Sequence, residues 1–323
     1  MAAVDDLSRR PATAAPVGNT APAGTAGASV PLTPTSPTVR LTPGKALPRS
    51  LRYWLGQRRL LLFGSIVGLM ILVGALAPVL APYDPIQTYP SDALQAPSLA
   101  HPLGTDNLGR DTLSRVIYGA RISLSVAVIA VSIALAGGVT LGLLAGYTGG
   151  IVDDVLSRFI DAMLAFPGIL LAIAIANTLG PSLPNAMLAV GIIGIPTYFR
   201  LTRGQVLQAR EQDFVTAAVV LGASQWRVIL RHVLPNIVNP LIVAASIASS
   251  GAILSLASLS FIGIGAQPPQ PDWGSMIKNA TGYLNNAPWL AFGPGVSIFL
   301  TVFSFSMLGD ALRDALDPRL RYR

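Results

Sequence analysis

The segment that decides the fold runs from Asp213 to Asn236 and reads DFVTAAVVLGASQWRVILRHVLPN. It carries arginine, serine and histidine side chains, yet it lies between two strongly apolar runs, at 185–199 and 237–265. Gly222 permits a tight turn in its middle, and Pro235, which lacks a backbone N–H, suits the first turn of a following helix. The pattern predicts a short helix-turn-helix between two membrane spans.

The composition of the whole chain is that of an integral membrane protein. Of the 323 residues, 52% are hydrophobic and 11% are charged, and the mean hydropathy is +0.58. The net charge of +7 does not indicate nucleic-acid binding, because the basic residues lie at the ends of apolar runs and form no stripe interleaved with aromatics. The chain has no cysteine, which excludes disulfides and thiolate metal ligands.

Uncharged apolar runs predict an all-α membrane fold with six transmembrane helices, since most of them reach the roughly 20 residues that cross a bilayer core. The runs lie at 60–80, 122–146, 162–180, 185–199, 237–265 and 291–309.

The order of these runs predicts four parts of the chain. Residues 1–48 are rich in Ala, Pro, Thr and Gly and are predicted to be a disordered cytoplasmic tail. Residues 49–118 form an anchor helix and an external elbow loop. Residues 119–309 form the transmembrane domain, which contains a loop at 200–236, and residues 310–323 form a second cytoplasmic tail.

The distribution of lysine and arginine predicts the orientation. With the N-terminus inside, 18 of the 22 Lys and Arg residues fall in cytoplasmic segments and four fall in external ones. Positive charge collects on the cytoplasmic side of membrane proteins. We therefore expect both termini and the 200–236 loop to be cytoplasmic.

The apolar runs contain no Asp, Glu, Lys, Arg or His, which disfavours a proton-coupled carrier. A sodium-coupled carrier stays open, because backbone and hydroxyl oxygens can hold sodium. An intramembrane enzyme would need a nucleophile and a base at membrane depth, and the sequence supplies serines there but no base.

With one glutamate, Glu211, and two distant histidines, His101 and His232, the chain offers no metal site and no catalytic constellation. It also lacks a G-x-x-x-x-G-K-[ST] phosphate loop, so any ATP must bind another polypeptide.

The Asp213–Asn236 segment resembles the cytoplasmic coupling loop of permeases in binding-protein-dependent ABC importers. The pattern of that family is Glu-Ala-Ala, three residues, Gly, nine residues and Ile-x-Leu-Pro. Five positions follow it at the right spacing: Ala217, Ala218, Gly222, Leu234 and Pro235. Thr216 replaces the usual Glu, and His232 replaces the usual Ile.

Three further segments, at 101–124, 261–274 and 308–319, are similar to the second permease subunit of the dipeptide, oligopeptide and nickel branch, and the resemblance runs from about residue 50 to the C-terminus. It implies a type I (MetI-like) permease fold in a bacterial inner membrane and a chain that is not an enzyme. The implied partners are a second homologous permease, two ABC ATPase subunits or domains, a substrate-binding protein and membrane lipid. No cofactor belongs to this chain, since ATP and Mg would be bound by the ATPases.

The substrate implied by the resemblance is a dipeptide or oligopeptide, carried by alternating access. Nickel and glutathione-type substrates are alternatives within the same family. A sodium-coupled carrier is the alternative from another class.

The resemblance and the spacing together select the residues of the candidate site. The ATPase-coupling residues are Asp213, Thr216, Ala217, Ala218, Gly222, Ala223, Arg227, Arg231, His232, Leu234 and Pro235. An interfacial helix resting at the lipid headgroups is the alternative interpretation of this segment. The candidate pathway residues are Ser246, Ser249, Ser250 and Ser255, whose hydroxyls either line a polar path or bond to their own helix.

Local patterns also make predictions about the elbow and the packing of the spans. Asp106 is expected to cap a short amphipathic helix before the second span, with Arg110, Asp111 and Arg115 in solvent and Leu113, Val116 and Ile117 against apolar surroundings. Trp273 is expected at the membrane interface, in a loop stiffened by three prolines. Close helix packing is expected at Gly138, Gly142 and Gly146, and at Gly64 and Gly68.

Overall fold

A computed structural model describes residues 49–316, with side-chain surroundings from residue 58 onward. Within that range the chain is helical, and an isolated bridge joins Thr105 to Asp111. The predicted all-α membrane fold is therefore confirmed. The predicted tail at 1–48 and the last seven residues, 317–323, lie outside the described residues.

The described helices follow one another along the chain. They are α1 (Arg49–Ala75), α2 (Ala77–Leu80), α3 (Thr112–Thr148), α4 (Gly150–Leu164), α5 (Gly168–Leu179), α6 (Leu183–Arg210), α7 (Asp213–Val220), α8 (Gln225–Val228), α9 (Leu234–Ile262), α10 (Trp273–Thr281) and α11 (Trp289–Leu316). A 3-10 turn at Pro90–Asp92 and a π-helical turn at Ile229–Val233 complete the set.

The number of membrane-spanning helices differs from the predicted six. Four helical stretches of the described chain are long and apolar enough to cross a membrane, and a fifth is counted if α4 and α5 form one span. The missing one is α6, where Asn185, Thr197 and Arg200 lower the mean hydropathy. Much of α6 is buried against other helices, so it needs less lipid-facing apolar surface than an outer helix.

A single continuous span at 162–180 was the wrong prediction. The chain bends by 92° between α4 and α5, at the break around Phe166 and Pro167. With 12 residues, α5 is about 18 Å long, which is shorter than a bilayer core of about 30 Å. Pro167 lies at the N-cap of α5, where its fixed φ starts a new helix instead of continuing the old one.

The helix ends also differ from the apolar runs. The second span begins at Thr112, ten residues before the predicted 122, because the amphipathic elbow helix and the span are one continuous helix. At the other boundary, α9 ends at Ile262, where Gly263 adopts φ +102°. Glycine ends the helix before the first of the three prolines, Pro268, is reached.

The centre of the bundle is the contact between α3 and α6. Glycines of α3 face larger residues of α6 so closely that an added Cβ would lie 2.5–2.9 Å from the Cβ of its neighbour. The pairs are Gly138 with Tyr198, Gly142 with Thr202, and Gly146 with Val206. The predicted packing on this helix is confirmed. Because the pairs advance together along both helices, α3 and α6 are parallel and end at the same side, called here the coupling end.

Close packing of α1 through Gly64 and Gly68 was a wrong prediction. A Cβ on Gly68 would meet nothing within 4 Å, and one on Gly64 would meet only Leu308, at 3.9 Å. The close approach occurs at Gly74, where a Cβ would lie 3.1 Å from the backbone nitrogen of Arg121. Helix α1 is therefore an outer helix that touches α3 near its own C-terminal end.

The cap of α3 is Asp111 and not Asp106 as predicted. The Asp111 carboxylate accepts hydrogen bonds from the Ser114 backbone N–H at 2.7 Å and contacts His101 Nδ1 at 2.9 Å. Asp106 acts within the preceding loop, where it accepts from the backbone N–H groups of Leu108 and Arg110. This side of the bundle, where α3 begins, is called the elbow end.

The elbow charges expected in solvent are buried. Arg110, Asp111 and Arg115 are 5%, 3% and 3% exposed. Their burial is compensated by hydrogen bonds: Arg110 Nε donates to Asp106 in the same loop at 2.7 Å, and Arg115 Nη1 donates to the Pro85 carbonyl, 30 residues away, at 2.7 Å. Such buried charges need fully formed hydrogen bonds, which a local sequence pattern does not reveal.

Trp273 is buried inside the protein and does not face lipid as an interfacial anchor would. It is 1% exposed, and its indole Nε1 donates to the Val116 carbonyl at 2.9 Å. A Cβ on Gly119 would lie 2.6 Å from the indole ring. The tryptophan therefore ties α10 to the first turns of α3 at the elbow end.

Candidate functional site

The coupling segment begins where α6 ends and folds as two short helices joined by a glycine turn. Gly222 has φ +83°, its N–H donates to Val219, and the Ala223 N–H donates to Ala218. These two bonds are those of a Schellman motif, which requires a left-handed residue at the position of Gly222. The predicted turn is thus formed by backbone conformation, and a Cβ on Gly222 would meet no atom within 4 Å.

One face of the coupling segment is anchored in the bundle. Val215 of α7, Val228 of α8 and Val233 of the π turn are at most 3% exposed and belong to the main hydrophobic core. Leu234 and Ala218 pack on the same core. The segment is therefore a fixed part of the bundle at its coupling end.

The opposite face presents large apolar side chains. Val220, Leu221 and Trp226 are 80%, 86% and 68% exposed. Together with further exposed neighbours they form the docking patch, defined as Phe214, Val219, Val220, Leu221, Trp226 and Leu230. Several large apolar side chains exposed within one short segment are typical of an interaction site for a protein or a membrane.

Most residues selected from the sequence lie around this patch. The exposed ones are Asp213, Thr216, Ala217, Gly222, Arg227, Arg231 and Pro235, and the half-buried ones are Ala218, Ala223, His232 and Leu234. Three exposed residues of the patch were not predicted from the sequence: Val220, Leu221 and Trp226. A signal for Trp226 was present, because its neighbours Ser224, Gln225 and Arg227 are polar and indicate a solvent-facing stretch.

The coupling segment continues directly into the longest apolar helix near it. From Gln225 to Ile262 the chain is one helical stretch of 38 residues, formed by α8, the π turn and α9. Pro235 lies in the first turn of α9, as predicted, and does not interrupt this stretch. Single π-helical turns inside α-helices are frequent at functional sites.

A cavity of about 570 Å³ opens between α3, α6 and α9. Its wall is mostly apolar and is lined by Ala130, Val131 and Ala134 of α3, by Val190, Ile193, Gly194, Thr197 and Tyr198 of α6, and by Ala244, Ile247, Ala248, Ser250, Gly251, Ala252 and Ser255 of α9. The same helical stretch that carries Trp226 therefore carries one wall of the cavity.

The four selected serines divide between the cavity and the helix contacts. Ser250 and Ser255 line the cavity, and the Ser250 hydroxyl donates to the Ile247 carbonyl at 2.6 Å. Ser249 is buried and donates to Ala245 at 2.9 Å, while Ser246 faces the Phe305 carbonyl of α11 at 3.4 Å. The structure thus brings two of the four to one wall.

Tyr198 is a polar group of the cavity that the sequence argument missed. It is 1% exposed, it lines the cavity, and its hydroxyl has no hydrogen-bond partner among the described residues. A buried hydroxyl without a partner costs free energy.

Comparison with known proteins assigns the family. The profile of the family described as "Binding-protein-dependent transport system inner membrane component" matches residues 138–322, more than half of the chain. The chain belongs to this family. It is therefore a permease subunit of a multi-pass membrane transport system, and such a subunit is not itself an enzyme.

Curated relatives cover most of the permease. It is 48% identical over 262 residues to the dipeptide transport system permease protein of Alkalihalophilus pseudofirmus, covering 80% of this chain and 86% of the relative. It is 44% identical over 276 residues to the dipeptide permease of Haemophilus influenzae, covering 83% and 94%. It is also 43% identical over 271 residues to the glutathione transport system permease protein of Pectobacterium atrosepticum, covering 84% and 90%.

A solved structure supports the fold of the permease. A chain from inward-facing conformations of the MetNI methionine ABC transporter superposes with a TM-score of 0.50 and 17% identity, covering 63% of this chain and 96% of that chain. At this identity the match concerns the fold alone, and it confirms the expected MetI-like permease architecture.

Proposed function

We propose that this permease carries small peptides across a bacterial inner membrane by alternating access, driven by ATP bound to partner ATPase subunits. Relatives that are 44–48% identical over about four fifths of the chain are named as dipeptide permeases, which supports a peptide substrate. Glutathione permeases at 43–47% identity are the second candidate, favoured by the same extent of similarity.

The observation that carries the proposal is the continuous helical stretch from Gln225 to Ile262. Its first turns present Trp226 to the outside at the coupling end, and its middle presents Ser250 and Ser255 to the cavity. A displacement of the docking patch by an ATPase would move one wall of the cavity. Alternation between inward and outward access needs such a link between the energy source and the pathway.

The docking patch is the surface we assign to the ATPase. Its apolar centre is flanked by the exposed charges of Asp213, Arg227 and Arg231, an arrangement that fits a protein interface with an apolar core and a polar rim. In this arrangement the coupling end and both termini are cytoplasmic, in agreement with the lysine and arginine distribution.

The pathway would run past the cavity between α3, α6 and α9. Ser250 and Ser255 supply polar groups on a mostly apolar wall, which suits a substrate that needs few fixed contacts while it moves. The cavity is open to one side, and a second homologous permease would complete it. An extracytoplasmic binding protein would deliver the peptide at the elbow end.

The test uses the complete transporter in proteoliposomes, with peptide uptake and ATPase copurification as readouts. Gly222→Val should reduce both strongly, because a β-branched residue resists φ +83° and distorts the turn beside the patch. Gly222→Asn is the matched control and should retain both, since asparagine tolerates the left-handed region. Uptake by the permease without any ATPase, or normal coupling in Gly222→Val, would contradict the proposal.

A further inference from the structure

A polar pocket at the elbow end is separate from both the docking patch and the cavity. It encloses about 420 Å³ between the elbow loop and the loop that joins α9 to α10. Its wall includes three cationic side chains, Arg110, Arg115 and Lys278. The amides Asn107, Gln267, Gln270 and Asn279 add further polar groups.

The charges of this pocket are not balanced. Within the described residues no carboxylate lines it, and the neighbouring Asp106 pairs with Arg110 at 2.7 Å and lies 3.6 Å from Arg115 Nε. One carboxylate is thus shared by two guanidinium groups. Among residues 49–316, Lys278 Nζ donates to the Ile262 carbonyl alone, at 3.2 Å.

A second acid, Asp272, does not remove this excess. Burial raises the pKa of the Asp272 carboxyl, which favours its neutral form, and the group accepts a hydrogen bond at 3.0 Å from the backbone N–H of Ser275, a residue of the pocket wall. Even if Asp272 is ionised, three cationic groups face two carboxylates. Cations held in a partly enclosed pocket attract an anion more strongly than cations in open solvent do, because the local screening is weaker.

Unused hydrogen-bonding capacity adjoins the same wall. A smaller cavity of about 20 Å³ shares Asn107, Arg115 and Asn279 with the pocket. Thr112 lines it, is 1% exposed, and has a hydroxyl with no partner among the described residues. The Thr112 hydroxyl beside the arginine side of the pocket is therefore free to donate a hydrogen bond to an acceptor group or to a bridging water.

We propose that this pocket binds the carboxylate of a peptide at the elbow end of the pathway. The inference rests on the proposed function for the identity of the ligand. Arg110 and Arg115 lie 5% and 3% exposed, so only a small group that enters the pocket can reach them. A terminal carboxylate on a short, flexible chain has that shape and the required charge, and charge-assisted hydrogen bonds to it are the strong kind. Ser260 on the pocket wall and Ser255 on the cavity wall both belong to α9 and are five residues apart, about 7.5 Å along the helix, so one helix contributes to both walls.

The test measures binding of radiolabelled Ala-Ala and of its C-terminal amide to the whole nucleotide-free transporter in nanodiscs, without binding protein. The intact transporter should prefer the free carboxylate. Lys278→Gln should weaken Ala-Ala binding about tenfold and leave the amide unchanged, whereas Lys278→Arg should bind Ala-Ala like the wild type. Glutamine keeps a donor for the Ile262 carbonyl, so the end of α9 is preserved.

Two outcomes would overturn the proposal. Equal affinity for the acid and the amide, unaltered by Lys278→Gln, would show that the pocket does not select a carboxylate. If Lys278→Gln weakened only the association of purified binding protein, the carboxylate would belong to that protein and not to the peptide. Binding is measured without ATP, so a transporter that binds the carboxylate selectively but shows no ATP-driven uptake would refute the proposed function and leave this site standing.

Discussion

Gly138 of α3 and Tyr198 of α6 are in such close contact that a Cβ on the glycine would lie 2.5 Å from the Cβ of the tyrosine. Moving the tyrosine side chain would not relieve the clash, because two backbone atoms of α6, the Ile195 carbonyl oxygen and the Phe199 nitrogen, would lie 2.7 Å and 2.9 Å from the same added atom. The central helix pair therefore depends on the absence of one methyl group.

Gly138→Ala should lower the stability of the permease by about 1–3 kcal/mol, the usual cost of overpacking a close contact. The thermal midpoint of the purified transporter measures it. Gly68→Ala is the matched control, since a Cβ there meets nothing within 4 Å and alanine is the better helix former. An unchanged midpoint in Gly138→Ala would mean that the helices are farther apart than described.

Trp226→Ala should disrupt ATPase association while the permease stays folded. The side chain is 68% exposed, so its removal leaves no core cavity, and truncating a large aromatic residue at an interface often costs about 2 kcal/mol or more of binding free energy. Copurification of the ATPase measures the loss. Leu99→Ala, at a fully exposed residue of the elbow end, is the control and should have no effect. If Trp226→Ala instead reduced only membrane binding of the segment, the interfacial-helix alternative would be correct.

Gly251→Leu should block transport without unfolding the protein. Gly251 lines the cavity, and a Cβ there meets nothing within 4 Å, so a leucine would occupy the cavity and strain no helix contact. Peptide uptake should fall at least tenfold while ATPase association is retained. Gly68→Leu places the same side chain in open space on α1 and should transport normally. Normal uptake by Gly251→Leu would place the pathway elsewhere.

The stability of the Asp272→Asn variant relative to the wild type should increase as the pH rises. Burial raises the pKa of this carboxyl in the folded chain above its ordinary value of 3.8. The unfolded chain ionises Asp272 first, so above about pH 4 the wild type loses stability that asparagine keeps. Thermal midpoints of both proteins between pH 4 and pH 7 measure the difference, and asparagine also remains a good N-cap for α10. If the variant were less stable than the wild type by a larger margin at pH 7 than at pH 4, the ionised carboxylate would be the stabilising form.

The sequence located the helices and the coupling segment, because both depend on local patterns. Apolar runs place α3, α9 and α11, and the Gly222 spacing places the Schellman turn. The bend between α4 and α5 was missed although Pro167 marks it, since the hydropathy of the run is uniform on both sides.

The elbow was predicted less well, because its energetics come from distant contacts. Arg115 is satisfied by the carbonyl of Pro85, 30 residues away, and Trp273 by that of Val116, 157 residues away. From a local sequence pattern alone, a charged or amphipathic side chain is expected in solvent, because its distant hydrogen-bond partners are not visible in the pattern. The cavity was predicted only in part, for the same reason. The sequence identifies the serines of its wall, but the absence of a partner for the Tyr198 hydroxyl among the described residues follows only from packing.

The unbroken stretch from Gln225 to Ile262 also fixes a rotational phase. Each residue of an α-helix turns the chain by about 100°, so one residue inserted near the π turn at Ile229–Val233 would rotate Trp226 by that angle about the axis relative to Ser250. Loop grafts between permeases would have to conserve the residue count from the tryptophan to the serines, and a graft that matched every contacting side chain but not this count would aim them in the wrong direction.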